Sequence, residues 1–368
     1  MKIIFDHQIF GWQKYGGISR YAFELAKHLA VTLGQDVQVV CPLYINEYLK
    51  QAPEKLIVRG RPAPAFPHCG RIYRAVNAIL ARPGYFFSNP DIVHETYFAG
   101  SSVAPKHAKK VLTVYDMIHE RFPEDFSAWN PTRKEKAIAV KRADHVICIS
   151  GQTRDDLIQY LGVAPQKISV VHLGFSMTLD EPVKELSFNH EGPYLLYVGQ
   201  RNRYKNFQGL ARAYASSIVL KMNFRICCFG GGPFTSTEQA LFAELGIDRN
   251  RIRQISGDDR LLQSLYQQAV AFIYPSLYEG FGIPPLEAMR FKCPVACSAA
   301  SSIPEVVGDA ACFFDPRSVD SIRDALEAIV QDTELRNRLI GKGLERIKRF
   351  SWENCAAETL QIYKRLTS

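Results

Sequence analysis

Two glutamates, Glu279 and Glu287, stand eight positions apart in the stretch YPSLYEGFGIPPLEAMRFKCPV at residues 274–295. On one ideal helix that spacing leaves the side chains about 80° apart, so they would not share a helix face. The adjacent Pro284 and Pro285 predict a helix start, because proline is tolerated in the first helical turn. Glu279 then lies in a loop and Glu287 in the first turns of a helix, and both can point at one ligand across the helix N-terminus.

The chemistry open to this pair is hydrogen bonding to hydroxyl groups. Ionised carboxylates only accept hydrogen bonds, and the hydroxyls of sugars are natural donors to them. Gly280 and Gly282, with Phe281 between them, would expose backbone N–H groups beside the same ligand. A purely structural interpretation, in which Glu287 only favours the helix dipole, leaves Glu279 unexplained.

A pair of cations lies further up the chain. In VGQRNRYKNFQGLARAY, Arg201 and Lys205 bracket a short loop before a helix. Arginine can fork onto two phosphate oxygens and lysine adds a mobile point charge, so the pair suits a diphosphate leaving group. Taken alone, the pair is also typical of ordinary surface charge.

Two glycine-rich loops follow other apolar runs. Gly16 and Gly17 precede a helical pattern, where small residues let backbone N–H groups approach an anion at a helix N-terminus. FGGGPF at residues 229–234 allows similarly close approach. Neither loop fits the dinucleotide fingerprint G-x-G-x-x-G or the phosphate-binding loop G-x-x-x-x-G-K-[ST], and each is also compatible with a simple turn.

These loops need elements to position them, and the sequence pattern predicts alternating strands and helices. Continuous apolar runs are typical of parallel strands buried on both faces. The predicted strands are Lys2–Asp6, Val37–Cys41, Ile92–His94, Lys110–Tyr115, His145–Ser150, Ile168–His172, Tyr194–Val198, Phe224–Phe229, Ile252–Ser256, Val270–Tyr274 and Val295–Ser298. Helical patterns lie between them, so the fold class is α/β with doubly wound parallel sheets. Ligands of such sheets bind beyond the carboxyl ends of the strands, where the loops described above fall.

Chain length sets the number of domains. A chain of 368 residues suits two domains of about 150–180 residues each. The polar segment at 179–194 contains two prolines and marks the break between Rossmann-like domains over 1–180 and 190–350. Two such domains facing each other would form a cleft, with functional residues contributed by both.

Composition bounds the location and the partners. The nine cysteines are scattered without a ligand framework, which indicates reduced thiols in a cytosolic protein and predicts no metal site. No apolar run is long enough to span a membrane.

The net charge of +8 falls mostly in residues 1–180. The basic clusters are Arg71, Arg74 and Arg82; Lys106, Lys109 and Lys110; and Arg133, Lys134, Lys136, Lys141 and Arg142. They are either solvated helix faces or a site for an anionic partner, such as lipid headgroups or a phosphate-bearing substrate. Nucleic acid is not expected, because no recognised binding motif accompanies the charge.

Together the motifs resemble a known family. GDDRLLQSLYQQAVAFIYPSLYEGFGIPPLEAM and CPVACSAASSIPEVVGDAACFFDP are similar to the C-terminal signature of the family 4 retaining glycosyltransferases, which have the GT-B fold. YGGISRYAFELAKHL, TVYDMIHERFPEDF and ADHVICISGQTRDDL resemble its N-terminal segments, so the likeness covers essentially the whole chain. Two positions depart from the family pattern: Tyr204 stands where many relatives have Arg, and Lys292 stands where Gly is usual.

The resemblance implies a role for each candidate residue. Glu287 would bind the nucleotide ribose, and Glu279 would face the donor sugar. Arg201 and Lys205 would neutralise the diphosphate. The loops on the acceptor side would add Asp116, His119, His94 and Glu95, with Gly16 and Gly17 over the donor phosphates and the acceptor. The helix at about 351–368 would cross back to the first domain.

The implied enzyme is a metal-independent, retaining hexosyltransferase. YDMIHERFPE resembles bacterial enzymes that build surface polysaccharide, often from GDP-mannose. We therefore expect mannose transfer to a hydroxyl of a glycan or lipid-linked acceptor, in the cytoplasm or peripherally on the inner face of the cell membrane. The alternatives are a UDP-sugar-dependent transferase, a GT-B-like nucleotide-sugar epimerase or hydrolase, a non-catalytic nucleotide-sugar-binding protein and an NAD-linked oxidoreductase, for which the fingerprint is missing.

Overall fold

The computed structural model describes residues 1–175 and 192–368, which form two compact units. Unit 1 comprises Met1–Gly174 and Phe350–Ser368, and unit 2 comprises Phe175–Arg349. The predicted linker at 179–194 lies outside the described residues as far as residue 191.

Each unit is built on one all-parallel sheet. Among the described residues, unit 1 has seven strands in the order β3-β2-β1-β4-β5-β6-β7, and unit 2 has six in the order β10-β9-β8-β11-β12-β13. The strands are β1 (Lys2–Phe5), β2 (Asp36–Tyr44), β3 (Ile57–Pro62), β4 (Ile92–Glu95), β5 (Lys109–Val114), β6 (His145–Cys148), β7 (Ile168–Val170), β8 (Tyr194–Val198), β9 (Arg225–Phe229), β10 (Ile252–Ile255), β11 (Ala271–Tyr274), β12 (Val295–Ser298) and β13 (Cys312–Phe314). This confirms the predicted α/β class with doubly wound parallel sheets.

Helices connect most of the consecutive strands and cover the sheets. They are α1 (Gly17–Val31), α2 (Cys69–Leu80), α3 (Arg82–Ser88), α4 (Ile118–Arg121), α5 (Thr132–Arg142), α6 (Gly151–Leu161), α7 (Phe207–Ser216), α8 (Ile218–Asn223), α9 (Ser236–Glu244), α10 (Asp259–Gln268), α11 (Ile283–Arg290), α12 (Ile303–Val307), α13 (Val319–Gln331), α14 (Thr333–Arg346) and α15 (Trp352–Thr367). Central strands such as β1 and β8 are buried because helices pack on both sheet faces, which explains their continuous apolar sequences.

The sequence pattern missed two edge strands. β3 contains Gly60, Pro62 and two arginines and is mostly exposed, so it has no apolar run to detect. β13 has only three residues, and its middle residue is exposed. Edge strands pair on one side alone, and therefore their residues need not be apolar.

Both sheets have a topological switch point. In unit 1 the chain runs outward from β1 to β2 and β3, then returns to place β4 on the other side of β1. In unit 2 it runs outward from β8 to β9 and β10, then returns with β11 beside β8. The connections leave a crevice at the carboxyl ends of the two central strands, which is where ligands bind in such sheets.

The last helix belongs to unit 1, although it follows unit 2 in the sequence. The indole of Trp352 in α15 lies 6.1 Å from the ring of Tyr21 in α1, measured between centroids. A Cβ added at Gly174 would lie 2.3 Å from that indole, so only glycine fits beside it. Tyr363, further along α15, is fully buried.

Lys292, the second residue after α11, has a left-handed conformation with φ of 58°. Its N–H donates to Met289 O at 3.1 Å, and the next N–H, of Cys293, donates to Ala288 O at 2.9 Å. A left-handed residue at a helix end is usually glycine, because a side chain there carries a steric cost. The replacement of the usual family glycine by Lys292 therefore affects the C-terminal cap of a helix and none of the predicted ligand-binding residues.

Candidate active site

The switch point of unit 2 brings Lys205 and Glu279 together. Lys205 ends the turn that follows β8, and Glu279 lies in the loop that follows β11. Lys205 Nζ donates to both carboxylate oxygens, at 2.7 Å to Oε1 and 3.0 Å to Oε2. The two loops are tied together by Leu277 N–H, which donates to Tyr204 O at 2.7 Å. The ring of Tyr204 lies 5.4 Å from Lys205 Nζ, so it supports the cation.

The loop that carries Glu279 is fixed through its backbone. Ser301 Oγ donates to Glu279 O at 2.8 Å, and Ser302 Oγ donates to Glu279 O at 2.9 Å and to Phe281 O at 2.8 Å. Burial, followed by the charge of Glu279 and a hydrogen bond to its carboxylate, raises the pKa of Tyr274 well above the ordinary value, so this phenol stays protonated. Glu279 is therefore positioned by its loop rather than by α11.

Glu287 is placed by the helix that the prolines start. α11 begins at Ile283, one residue before the predicted start, with Gly282 before it at φ of 113°. Tyr266 OH donates to Glu287 Oε2 at 3.1 Å. Burial and then the neighbouring charge of Glu287 raise the pKa of Tyr266 well above its ordinary value, so the phenol remains a donor. The carboxylate of Glu287 thus has a defined orientation in the second turn of α11.

Arg201 is enclosed by the glycine loop that follows β9. Its Nε donates to Glu238 Oε1 at 2.5 Å, and its Nη1 donates to Gly230 O at 3.2 Å. Its Nη2 donates to Gly232 O at 2.9 Å and to Pro233 O at 3.1 Å. Only 4% of the side chain is exposed. The guanidinium therefore holds this loop, which is a different position from the open phosphate contact that the sequence suggested.

Glu238 connects this guanidinium to the start of α9. Its Oε2 accepts from Thr235 N–H at 2.7 Å, and its own N–H donates to Thr235 Oγ1 at 3.2 Å, which forms a capping box. Burial alone would raise the pKa of Glu238, but hydrogen bonds from Arg201 and Thr235 hold it below its ordinary value. Gly231 has φ of 71°, and a Cβ there would lie 2.5 Å from Arg201 Nη1. Only glycine therefore fits between the guanidinium and the loop.

His94 and Glu95, expected near the acceptor, are built into the interior of unit 1. His94 Nε2 and Thr113 Oγ1 lie 2.9 Å apart, and His94 Nδ1 is hydrogen-bonded to Tyr363 OH. Glu95 Oε2 accepts from Arg142 Nη2 at 2.7 Å, and Glu95 Oε1 accepts from Arg142 Nε at 3.3 Å. Both side chains link β4 to neighbouring elements of the same unit.

Asp116 and His119 lie in and beyond the loop that follows β5. Asp116 Oδ1 accepts from Ile118 N–H at 3.0 Å, which shapes the turn into α4. The imidazole of His119 stacks on Phe126 at 3.9 Å between centroids. Burial and then the charge of Lys136 lower the pKa of His119, so its neutral form is favoured. Both residues are half-buried, and their predicted place at the acceptor stays a prediction.

Gly16 and Gly17 stand at the start of α1. A Cβ at Gly16 would lie 2.4 Å from Gln13 Oε1, the atom that accepts from Ser19 N–H at 3.2 Å. A Cβ at Gly17 would have no atom within 4 Å. The glycine pair therefore lets the Gln13 side chain cap the helix and leaves open space at its first residue.

Sequence reasoning missed a cavity of about 580 Å³ in unit 1. It lies where β1 and β4 end, and its wall includes Asp6, His7, Gln8, Trp12, Tyr85 and Trp129. These residues come from the loop after β1, from α3 and from the segment before α5. One signal was available, namely a run of polar residues directly after the first strand. The rest depends on segments that are far apart in sequence.

Several of the basic side chains thought to form surface clusters have partners inside unit 1. Lys136 Nζ lies 2.7 Å from Glu120 Oε2, and both side chains are only 1% exposed. Arg74 pairs with Glu135 at 2.8 Å, in addition to the pair between Arg142 and Glu95. The free basic surface is therefore smaller than the sequence suggested.

Residues 1–175 and 192–368 contain neither a metal-binding cluster nor a membrane-spanning helix. No group of three or more His, Cys, Asp or Glu side chains in those ranges could hold a metal ion. None of the helices described there has the length and apolar character needed to cross a membrane. Cys293 and Cys297, which are spaced like ligands, are both buried and unpaired with other cysteines.

Comparisons with known proteins match the whole length of the chain. The family model "Glycosyl transferases group 1" matches residues 180–346, and the model "Glycosyltransferase Family 4" matches residues 15–178. O-antigen chain mannosyltransferase B of Escherichia coli is 28% identical over 392 residues, covering 100% of both chains. MMP alpha-(1->4)-mannosyltransferase of Mycolicibacterium hassiacum is 27% identical over 330 residues, covering 79% of this chain and 74% of the other.

Among solved structures, Anabaena Alr3699/HepE in complex with UDP and glucose shares the fold. The TM-score is 0.73 at 17% identity, and the match covers 99% of this chain and 100% of that chain. At this identity the likeness concerns the fold alone.

Proposed function

Because this chain belongs to glycosyltransferase family 4, we propose that it transfers mannose from GDP-mannose to a hydroxyl of a glycan or lipid-linked acceptor, with retention at the anomeric carbon. The chain is a glycosyltransferase of the bacterial polysaccharide type. The proposal adds the donor, the acceptor and the stereochemistry. The two mannosyltransferases described above support mannose as the transferred sugar.

The observation that carries the proposal is the pairing of Lys205 with Glu279 at the switch point of unit 2. A donor diphosphate placed at this crevice would attract Lys205 Nζ, and the hydroxyls of its sugar would donate to Glu279. Charge that grows on the departing diphosphate is then stabilised by a preorganised cation. Arg201 would act on the same diphosphate through the glycine loop that it holds.

Glu287 would accept hydrogen bonds from the ribose hydroxyls. Glu287 is the fifth residue of α11, in its second turn, and Tyr266 fixes the orientation of its carboxylate. Ribose hydroxyls are donors, and an oriented carboxylate accepts them without first losing rotamer freedom. The nucleotide and its sugar would thus be bound by the loop and the helix of one sequence motif.

The transfer step needs no nucleophile from the protein. The bond between the anomeric carbon and the diphosphate oxygen breaks as the acceptor oxygen bonds to the same face of the sugar. The acceptor proton passes to the leaving diphosphate, and the products are GDP and the mannosylated acceptor. Glu279 is not assigned as a nucleophile, because its carboxylate is held by Lys205 and Tyr274. We propose that side chains alone neutralise the diphosphate, without a metal ion.

The decisive experiment compares donors and acceptors with the purified chain. Nucleotide affinity is measured by calorimetry for GDP, UDP and ADP, and transfer is measured with the corresponding sugar nucleotides. We expect GDP to bind tightest and GDP-mannose to be consumed only when an acceptor is present. Release of free mannose without an acceptor would instead indicate a hydrolase. An α-configured product, seen in the NMR coupling at the anomeric carbon, would establish retention.

Glu287→Ala tests the ribose contact. Loss of a charge-assisted hydrogen bond is worth about 1.5–3 kcal/mol, so we expect GDP affinity to fall roughly 10–100-fold. Glu334→Ala is the matched control, because Glu334 also lies in the first turns of a helix of unit 2 and is exposed. Equal GDP affinity in both variants would mean that Glu287 serves only the helix dipole.

We also propose that unit 1 contacts an anionic membrane through α2 and α3. Phe86 and Phe87 are 79% and 77% exposed, and Ile79 at the end of α2 is exposed as well. Arg82, between these residues in sequence, is exposed and basic. Exposed aromatic and aliphatic side chains next to a cation suit the boundary between lipid headgroups and acyl chains.

Vesicle sedimentation tests this surface. We expect the chain to bind vesicles of phosphatidylcholine mixed with phosphatidylglycerol better than vesicles of phosphatidylcholine alone. Replacing Phe86 and Phe87 by serine should abolish this binding. Met222→Ser is the control, because Met222 is an exposed apolar residue of unit 2. Unchanged binding by the double variant would remove α3 from the proposed surface.

A further inference from the structure

Few residues other than glycine have a positive φ in the part of the chain that the structure describes. Five such positions occur there, namely His68, Asn89, Asn206, Lys292 and Ser301. A side chain at such a φ costs conformational free energy, and asparagine tolerates it better than serine or lysine. Asn89 and Lys292 lie at or just after the C-terminal ends of helices, where a left-handed residue is common.

Two of the five positions flank the ion pair of the proposed donor site. Asn206 directly follows Lys205, and Ser301 contacts the backbone of Glu279. Strained backbone positions gather at functional sites, where the surrounding contacts hold them in place. Asn206 is an asparagine and tolerates this conformation, so Ser301 is the position that needs an explanation.

Ser301 lies in the turn between β12 and α12. Ile303 N–H closes the turn by donating to Ala300 O at 3.3 Å, and Ser301 follows Ala300 with φ of 57°. Glycine would adopt this φ without a steric cost. Serine at this position therefore indicates a role for its hydroxyl group.

The Ser301 hydroxyl bonds both backbone polar groups of a single residue. Its Oγ accepts from Glu279 N–H at 3.2 Å and donates to Glu279 O at 2.8 Å. A hydroxyl carries one proton and two lone pairs, so it can donate and accept at the same time. The backbone of Glu279 is thereby attached on both sides of its Cα to the turn that follows β12.

Ser302 serves the next part of the same loop. Its Oγ lies 2.9 Å from Glu279 O and 2.8 Å from Phe281 O. Glu279 O already accepts from Ser301, so the single hydroxyl proton of Ser302 is left for Phe281 O. Ser302 also has an ordinary φ of −74° and carries no backbone cost. The strained residue of the two is therefore the one that bonds the N–H of Glu279.

Glu279 depends on such support because it lies outside the helices and strands, between β11 and α11. Its carboxylate nevertheless accepts from Lys205 Nζ at 2.7 and 3.0 Å. We propose that Ser301 is a positioning residue of the transferase, whose hydroxyl fixes the backbone of Glu279 and with it the carboxylate that faces the donor sugar. The proposal rests on the role of Glu279 in the function proposed above, and it adds a residue that acts through Glu279.

Ser301→Gly and Ser301→Ala separate positioning from stability. Both remove the hydroxyl, but only alanine keeps a side chain at the strained φ, so we expect a lower midpoint of unfolding for Ser301→Ala than for Ser301→Gly. We expect kcat with GDP-mannose to fall roughly 10–100-fold in both variants, because a carboxylate displaced by about 1 Å is no longer aligned with the sugar. GDP affinity should be unchanged, since GDP has no sugar for Glu279 to contact.

Lys292→Gly is the matched control. Lys292 is an exposed, left-handed residue of the same unit and is none of the predicted ligand-binding residues. Its replacement relieves the same backbone cost, so we expect an equal or higher midpoint of unfolding with unchanged kcat. If Ser301→Ala does not fold, the comparison of Ser301→Gly with Lys292→Gly still decides, because neither variant keeps a strained side chain.

Two results would overturn the positioning role of Ser301. One is wild-type kcat in both Ser301 variants. The other is a loss of kcat that follows the midpoint of unfolding, with a larger loss in Ser301→Ala than in Ser301→Gly and with GDP affinity lost as well. Either result would show that the hydroxyl only stabilises the turn.

Failure of this proposal and failure of the proposed function give different results. If Glu279→Ala slows transfer but the Ser301 variants do not, Ser301 has no positioning role and the donor site stands. If the chain transfers no sugar from any sugar nucleotide, the transferase proposal fails, and hydrogen exchange then tests Ser301 by itself. Faster exchange of the Glu279 amide in Ser301→Gly than in the wild type and Lys292→Gly would support the positioning role, and equal exchange would overturn it.

Discussion

The two units share one topology but fill their switch points with different chemistry. In unit 2 the crevice at β8 and β11 holds an ion pair, Lys205 with Glu279, and a guanidinium bound to a glycine loop. In unit 1 the crevice at β1 and β4 holds aromatic rings and neutral polar atoms, with its charges balanced. A fixed cation suits a diphosphate, and a balanced aromatic cavity suits a neutral sugar.

This difference indicates that the same sheet topology can provide binding positions for different ligands. The parallel topology provides a binding position in each unit but does not decide what binds. The side chains on the loops after the strands decide it. The charged crevice therefore belongs to the proposed donor and the aromatic one to the proposed acceptor, and three predictions follow in order of expected effect.

The largest effect is expected for the cation of unit 2. Lys205→Ala removes the charge that would stabilise the departing diphosphate, so we expect kcat to fall about 10²–10³-fold with the fold intact. Lys348→Ala is the control, because Lys348 forms an exposed ion pair with Glu345 in the same unit. Steady-state kinetics with GDP-mannose measure both. Near-normal turnover in Lys205→Ala would show that the charge of Lys205 does not contribute to transfer. The difference in charge between the two crevices would then have no catalytic role.

Arg201→Lys tests whether nucleotide binding needs only the positive charge of Arg201 or also the planar shape of its guanidinium. Lysine keeps the charge but cannot bond Glu238 and four loop carbonyls at once, so we expect nucleotide affinity to fall roughly 10-fold. Calorimetry with GDP gives the dissociation constants.

A double-mutant cycle with Glu238→Gln supplies the control for this prediction. If both residues act by holding the loop, their effects will be less than additive. Wild-type affinity in Arg201→Lys would show that charge alone suffices and that the loop contacts are incidental.

The third prediction concerns stability and sharpens the view that His94 is structural. Burial lowers the pKa of His94 to about 3, whereas an unfolded histidine titrates near 6.5. As the pH falls from 6.5 towards 3, the unfolded chain binds a proton that the folded chain does not. The contribution of neutral His94 to the free energy of unfolding is therefore complete above pH 6.5. Below pH 6.5 it declines by at most about 1.4 kcal/mol per pH unit.

His94→Gln should lessen this acid destabilisation. Urea unfolding across that pH range measures the slope for the variant and for His107→Gln, at an exposed histidine of the same unit. We expect the slope to decrease by about one proton in His94→Gln alone. If the slope is unchanged, His94 is not held neutral by burial, and a direct role at the acceptor becomes the better explanation.

The sequence predicts some features of the site correctly and misses others, depending on whether the feature is local. Glu279 and Glu287 were assigned to a loop and a helix because Pro284 and Pro285 mark a helix start locally, and α11 begins one residue earlier. The strands with continuous apolar runs were predicted because burial on both faces leaves that pattern. His94 was expected near the acceptor, but both of its ring nitrogens are hydrogen-bonded inside unit 1. A position at the end of a strand does not show whether a side chain contacts a ligand or is hydrogen-bonded inside the unit.

By itself the sequence determined the two-sheet architecture, the place of the donor motif and the residue types available for a nucleotide sugar. These follow from local periodicity, helix-start chemistry and the contiguous motif at 274–295. Only the tertiary structure decided that Arg201 holds the glycine loop and that Tyr85, His7 and Gln8 line one cavity with two tryptophans. The reason is physical, because hydrogen bonds and cavity walls join segments far apart in the chain, and a linear pattern carries no distance between them.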